Sequence, residues 1–379
     1  MLAEQILHFV LSTDEHDFTD FCYALGWVDG IYSILLIMWT FFVLEPGVFR
    51  QRLEVGMRSA DSHVFFHPTL VRVWMDTYSP IRKLSSIPIE ARSTSGNSAL
   101  LPLVLWRRNW RQGFVNSIVP VGYSDYDYHD PLFSHSPSVE ELKAFWSELS
   151  EFLRQFGADE IRLDCIRSDM VGDSEVWRRD EICPNIDISS FEDGEQLLAS
   201  FSTKLRGDIR RQIRRLNEIG ELHLVEYASG SEVPEEAWKA FMEFHSRKWP
   251  NAYKAPGFHR RLMECCSLDG PVHFSTLMAG DHYAAWHLGF EHNGVYYYYM
   301  PCGNPEFSKQ SPVKVHLYYL MARAIAKGLT QFDHLRGDET YKEGWSDGST
   351  FVNSLLIENP SVTYYAKKLM ICFKSLIMK

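Results

Sequence analysis

The residues with most to offer chemically lie between Phe332 and Trp345. Asp333 falls inside an apolar strand marked by Phe332 and Leu335, where a carboxylate must be desolvated, paired or given a task. Arg336, Asp338 and Glu339 follow at the strand's end. Asp333 or Glu339 has the chemistry of a general base, and Arg336 and Lys342 that of cations for an anionic substrate group. A buried pair of Asp333 with Arg336 or with Lys342 explains the same residues, so a catalytic and a structural reading stand side by side. His287, on another apolar strand, is a second base candidate, set against the ordinary fate of a strand histidine as core or surface. The run Tyr296 to Tyr299 alternates between the two faces of a strand. Tyr297 and Tyr299 are the candidates for an acceptor site, offering flat rings and hydroxyls, while such a run equally serves as core.

Two stretches suit anions. Ser308, Lys309, Gln310 and Ser311 lead through Pro312 into a helix from Val313 to Lys327, and a helix start presents N–H groups and a positive dipole end to a phosphate. A serine-proline cap explains the same residues. Earlier, the helix Phe201 to Ile219 carries Lys204, Arg206, Arg210, Arg211, Arg214 and Arg215 against one acid, Asp208. Leu205, Ile209, Ile213 and Leu216 form its apolar stripe. Its cationic side either holds a phosphorylated ligand or is a solvated face.

The elements that must position these groups form a mixed α/β pattern. Strands are expected near Leu84–Glu90, Ala99–Trp106, Phe114–Val119 and Glu160–Ile166, with a helix opened by the capping box of Ser138 and Glu141. Arg167 to Ser190 is charged and irregular and reads as a crossing between domains. Beyond the helix at Glu235–Trp249, strands Val272–Met278, Tyr283–Glu291 and Val295–Met300 form an antiparallel meander through Gly280-Asp281 and Asn293-Gly294. The helix from Val313, the strand Gln331–Leu335, a short helix at Glu339–Trp345 and the strand Phe351–Ile357 complete this half. A final helix after Pro360 either packs on the domain or lies on a membrane surface. Asp125, Asp127, His129 and Asp130 crowd one loop, but their spacing fits neither a calcium loop nor a zinc site, and no metal is expected.

With 379 residues, 45% hydrophobic and 23% charged, the chain has the composition of two ordinary folded domains. The divisions expected are an apolar segment 1–44, a first domain 45–185, a second 186–358 and a terminal helix 359–379. The net charge of -11 argues against general nucleic-acid binding. Seven scattered cysteines without a C-x-x-C pair fit free thiols in a reducing cytosol. Phe21 to Leu44 holds one charge, Asp29, and is either a buried or interfacial helix or a membrane span. No Lys or Arg precedes Arg50, so a signal peptide is not expected, and if the segment spans, the positive-inside rule keeps the body cytoplasmic.

The order meander, loop, helix, strand, short helix, strand is that of a GNAT-superfamily acyltransferase core. Lys204 and Arg206 with Ile209, Arg210 and Arg211, Phe244-His245 with Arg247 and Trp249, Asn304 to Phe307 leading to Ser311-Pro312, and the Phe332–Trp345 stretch resemble the cellulose-biosynthesis-associated (BcsL/CelD-like) acetyltransferases. The likeness covers about Phe191 to Ile357, and more weakly the first half through Phe66 to Pro68 and Ser124 to Leu132. It implies a FemAB-like α/β (α+β) fold of tandem GNAT-like domains, a mixed sheet flanked by helices. It further implies transfer of an acyl group, acetyl above all, from acyl-CoA to an amine or hydroxyl of a sugar- or phosphate-bearing envelope or exopolysaccharide precursor. Tyr341 stands where GNAT enzymes place the tyrosine that protonates the departing thiolate. The turn from Ser308 to Val313 stands where the pyrophosphate of acetyl-CoA sits, although Val313 replaces the glycine of related proteins. Aminoacyl transfer from aminoacyl-tRNA, or a silent accessory role beside a polysaccharide synthase at the membrane, are the alternatives.

Overall fold

Turn chemistry and alternation set most of the sheet. Asn293 and Gly294 both take positive φ (46° and 77°), the conformation a two-residue hairpin demands, and Gly280 (59°) turns the preceding hairpin. The computed structural model describes residues 39–58, 62–109, 114–172 and 176–377. Its strands are β1 Trp39–Val43, β2 Lys83–Ser93, β3 Ser98–Arg107, β4 Ser117–Pro120, β5 Leu132–Phe133, β6 Glu160–Arg167, β7 Arg178–Asp187, β8 Leu222–Glu226, β9 Val272–Ala279, β10 His282–His292, β11 Val295–Gly303, β12 Gln331–Asp333 and β13 Gly348–Glu358.

All belong to one sheet in the order β1-β2-β3-β4-β6-β13-β7-β12-β11-β10-β9-β8, with β5 on β3. One unit appears twice. Antiparallel β2-β3-β4, the helix Val139–Arg154 and β6 parallel to β4 match antiparallel β9-β10-β11, the helix Pro312–Ala326 and β12 parallel to β11. The halves trade strands where they meet: β13 lies between β6 and β7, and β7 lies between β13 and β12.

Several expectations need correction. The segment read as an irregular crossing contains β7, near the middle of the sheet. Its first four residues, Arg178 to Glu181, are exposed and charged, and only Cys183, Pro184 and Ile186 are buried, so the apolar signal is short. Trp39–Val43, placed in an apolar helix, is the edge strand β1; the rest of that apolar segment lies outside the described residues. The short helix at Glu339–Trp345 is a single 3-10 turn, Lys342–Gly344, and the strand before it stops at Asp333. The helix Val139–Arg154 has its capping box and buries Leu142, Phe145, Trp146, Leu149 and Leu153 as the spacing predicts. The final helix, Val362–Ile377, is pinned by Lys367 to Asp159 at 2.5 Å, and leaves Tyr365 and Leu369 exposed. No helix among the described residues is long and apolar enough to cross a membrane.

The loop from Gly122 to Leu132 fastens the two halves. Gly122 (φ 91°) must be glycine, because a Cβ there would come within 2.2 Å of the Tyr126 ring. Each acid of the loop has its own partner. Asp125 accepts from Trp74 Nε1 at 3.1 Å, and Asp127 accepts from Arg336 Nε at 2.6 Å. Asp130 accepts from both the backbone N–H and Nε of Arg167, each at 2.6 Å. Tyr126 donates to Leu70 O, and Tyr128 donates to Asp333 Oδ2 at 2.8 Å. Among the described residues no group of His, Cys, Asp and Glu is placed to hold a metal ion.

Asp130 is buried while Arg167 is 22% exposed at its side chain. Asp130→Ala removes both hydrogen bonds and leaves a half-desolvated guanidinium, so unfolding free energy is expected to fall by about 3 kcal/mol. Urea unfolding of wild type and variant at pH 7 measures it; a change under about 0.5 kcal/mol would show that the clasp does not hold the loop.

Candidate active site

The site exists because β12 ends early. β11 and β12 pair in parallel over three residues only, Val295 with Gln331, Tyr296 with Phe332 and Tyr297 with Asp333. The chain after Asp333 then follows β7: His334 N–H donates to Pro184 O at 2.9 Å and Gly337 N–H to Ile182 O at 3.0 Å. β11 runs on to Gly303, paired with β10 alone from Met300 to Gly303. Between the diverging chains lies a cleft of about 760 Å³, with Tyr298 to Met300 on one wall and His334 to Arg336 on the other. Asp125, Asp127 and the segment Lys248 to Lys254 enclose it further.

Asp333 makes the divergence possible but does not line the cleft. Leu335 adopts φ 58°, a left-handed conformation costly for a side chain with a Cβ, and Asp333 Oδ1 accepts its N–H at 2.7 Å. The other oxygen takes the Tyr128 hydroxyl. Its partners are thus a backbone amide and a phenol, not the Arg336 or Lys342 of the structural alternative. Burial pushes the carboxyl up to about 6, against the pull of the Leu335 N–H and the Tyr128 hydroxyl.

Arg336 is held by Asp127, and Lys342 Nζ donates to Leu335 O and Arg336 O at 3.3 and 2.7 Å while lying 2.8 Å from Glu339 Oε2. Gly337 (φ 124°) allows that contact, since a Cβ there would meet Glu339 Oε2 at 2.3 Å. Glu339 and Tyr341 stand at the cleft rim. Burial of part of its ring raises the Tyr341 hydroxyl above an ordinary tyrosine, so it is a proton donor at any working pH. His334, which the sequence reading passed over, donates from Nε2 to Trp345 O at 3.3 Å. Its Nδ1 is buried with no partner among the described residues, and burial holds the ring down to about 3, hence neutral.

The helix start on the cleft is less open to anions than expected. Pro312 has no N–H, and the N–H groups of Lys314 and Val315 turn back to Ser311 O at 3.0 and 3.4 Å. Val313 packs on Gly303, where a Cβ would come within 2.8 Å of its methyl. Ser308, Ser311 and Val313 line the cleft; Lys309 and Gln310 do not. The third wall was legible only in the quoted residues Phe244-His245, Arg247 and Trp249. It brings His245, Lys248, Trp249, Lys254 and His259 to the cleft, and burial lowers both histidines to about 4.

Other candidates lie elsewhere. His287 is fully buried, stacked 4.5 Å from the Tyr298 ring and bonded through Nδ1 to the Tyr296 hydroxyl, with burial holding it far below its ordinary value. It is not among the residues that line the cleft. Tyr297 is buried against Phe65, whereas Tyr299 reaches the cleft and donates to Asp125 O at 2.9 Å. On the basic helix, Thr203–Asn217, Arg206 donates to Ala199 O, Arg210 pairs with Glu195 at 3.0 Å and Arg211 pairs with Asp208. None of the three lines the cleft.

A family model described as an acetyltransferase (GNAT) domain matches residues 203–343, from the basic helix through both walls of the cleft. No curated protein sequence matches the chain significantly. Among solved structures, FemX is similar with 12% identity and a TM-score of 0.52, over 82% of this chain and 96% of that one. The C-terminal domain of a putative lysylphosphatidylglycerol synthetase from Agrobacterium fabrum has 14% identity and a TM-score of 0.49 over 85% and 95% of the two chains. A tandem GNAT protein from the clavulanic acid biosynthesis pathway has 10% identity and a TM-score of 0.43 over 86% and 99%. Residues 203–343 thus match an acetyltransferase (GNAT) domain model, and the mixed α/β fold around them resembles that of FemX.

The raised Asp333 carboxyl makes a pH prediction. The folded protein holds this proton more tightly than the unfolded chain, whose value is near 3.8, so the stability it confers is present below that value and lost as pH rises through about 6. Asp333→Asn keeps an oxygen for Leu335 and is never charged. At pH 7 it is expected to be more stable than wild type by up to about 3 kcal/mol, from roughly 2 pH units at 1.36 kcal/mol each, with the difference closing between pH 6 and 4. Parallel unfolding curves at all pH values would show that Asp333 is not the desolvated acid described.

Proposed function

We propose that the protein transfers an acyl group, acetyl in the simplest case, from acyl-CoA to an amine or hydroxyl. The observation that carries this reading is the parting of β11 from β12, which leaves one edge of β11 unpaired from Tyr298 to Gly303 beside a polar rim. An unpaired strand edge offers alternating N–H and C=O groups, the partners that the two amides of an extended pantetheine arm require. The arm fits the free edge, so the chain's residues suit the donor.

The same edge supplies N–H groups to the negative charge that grows on the thioester oxygen as the acceptor attacks. Glu339 takes the proton from the attacking amine or hydroxyl, and the C–S bond breaks as Tyr341 gives its proton to the sulfur. Arg336, fixed by Asp127, and the buried Lys342, paired with Glu339, hold the wall in place. Tyr299 and Lys254 give the cleft a flat ring and a cation of the kind that a sugar- or phosphate-bearing acceptor needs. That chemistry, with the resemblance to cellulose-associated acetyltransferases, supports an envelope or exopolysaccharide precursor as acceptor.

Tyr341→Phe and Glu339→Gln are each expected to lower turnover per folded molecule by about a hundredfold or more, measured as thiol release from acetyl-CoA. Wild-type protein that binds no coenzyme A by calorimetry would overturn the assignment.

A further inference from the structure

A second recess of about 320 Å³ adjoins the cleft beyond the contact of Gly303 with Val313, and both residues border both spaces. Phe244, Arg247, Lys248, Trp249, Cys302 and Pro305 complete it. Trp249 is 43% exposed and is the only exposed tryptophan among the described residues. A ring that size left in water is costly unless something covers it. It is also held ready. Its N–H caps the helix Glu235–Lys248 by donating to His245 O at 2.8 Å, and the turn Pro250–Ala252 follows at once. Lys248 Nζ lies 5.4 Å from the ring centroid, and the Arg247 guanidinium, paired with exposed Glu243 and 5.9 Å from the Phe244 ring, borders the same recess. A recess with an exposed flat ring and two cations on its lining suits an aromatic base that carries phosphates.

We propose that this recess takes the nucleotide end of the acyl donor, with adenine stacked on Trp249 and its phosphates on Arg247 and Lys248. The inference rests on the acyl-CoA reading. From Tyr298 to Gly303 the open edge of β11 spans five residue steps, about 17 Å at about 3.3 Å per step, which suits an extended pantetheine arm. The diphosphate then falls at Gly303 and Val313. There the helix start has few donors left, since Pro312 has no N–H and Lys314 is committed to Asp208 through its side chain. Positive charge has to come from the neighbouring wall, and Arg247 and Lys248 are the cations at that place.

Calorimetry on the full chain with coenzyme A, adenosine 3′,5′-bisphosphate and 4′-phosphopantetheine tests this. Trp249→Ala is expected to weaken coenzyme A and the bisphosphate by about ten- to a hundredfold and to leave phosphopantetheine unchanged. Trp249→Phe should stay within about threefold of wild type, and Arg247→Ala with Lys248→Ala should weaken the bisphosphate and steepen no salt dependence. Coenzyme A binding that is equal in wild type and Trp249→Ala overturns the recess assignment and leaves the acyl-CoA reading intact. Absence of coenzyme A binding in wild type overturns both. Trp249-dependent binding of a short RNA ending in CCA, in place of coenzyme A, overturns it in favour of a charged RNA.

Discussion

A strand has two edges, and β12 gives one to β7 and the other to β11. After Asp333 the chain stays with β7, through the His334 and Gly337 amides, and parts from β11 after three paired residues. The switch needs a left-handed Leu335, a conformation that persists only when its surroundings hold it. Asp333 supplies the hold by accepting the Leu335 amide, and Tyr128 supplies it to Asp333. Cleft, rim and the free edge of β11 all follow from that arrangement. Asp333 lies one step behind the cleft, bonded to Leu335 and Tyr128, and shapes the wall.

Because Tyr128 and Asp127 come from the first half, the cleft of the matched domain is completed by a part of the chain outside residues 203–343. The charged groups of that loop are expensive to desolvate, and each has one dedicated partner on another element. Such pairs contribute position more than stability. Arg336 aligned by Asp127 differs from an arginine free to roam by the entropy it no longer loses when a substrate arrives.

The basic helix shows why charge counts mislead. Six cations within Thr203–Asn217 invite an anion, yet Arg210 and Arg211 are already neutralised by Glu195 and Asp208, and Arg206 caps the preceding helix at Ala199. Exposed pairs of this kind cost and yield little, and nothing in a linear sequence shows that Glu195 lies opposite Arg210. The cleft takes its cations from elsewhere in the chain, among them Lys248 and Lys254, which no charge run advertised.

Local signals in the sequence determined the capped helix Val139–Arg154, the hairpin at Asn293-Gly294, the meander and the run of elements that resembles an acetyltransferase, because periodicity and turn chemistry act within a few residues. They also placed Glu339 and Tyr341 in the stretch that became the cleft rim. Tertiary structure alone decided that the charged segment Arg178–Asp187 is an inner strand, that His287 is sealed inside the sheet, and that Asp333 faces Tyr128 across 205 residues of chain. The physical reason is the same in each case. Which face of a strand meets solvent, and which partner a buried acid finds, depends on neighbours brought from the other half of the chain, and no spacing within a strand encodes them.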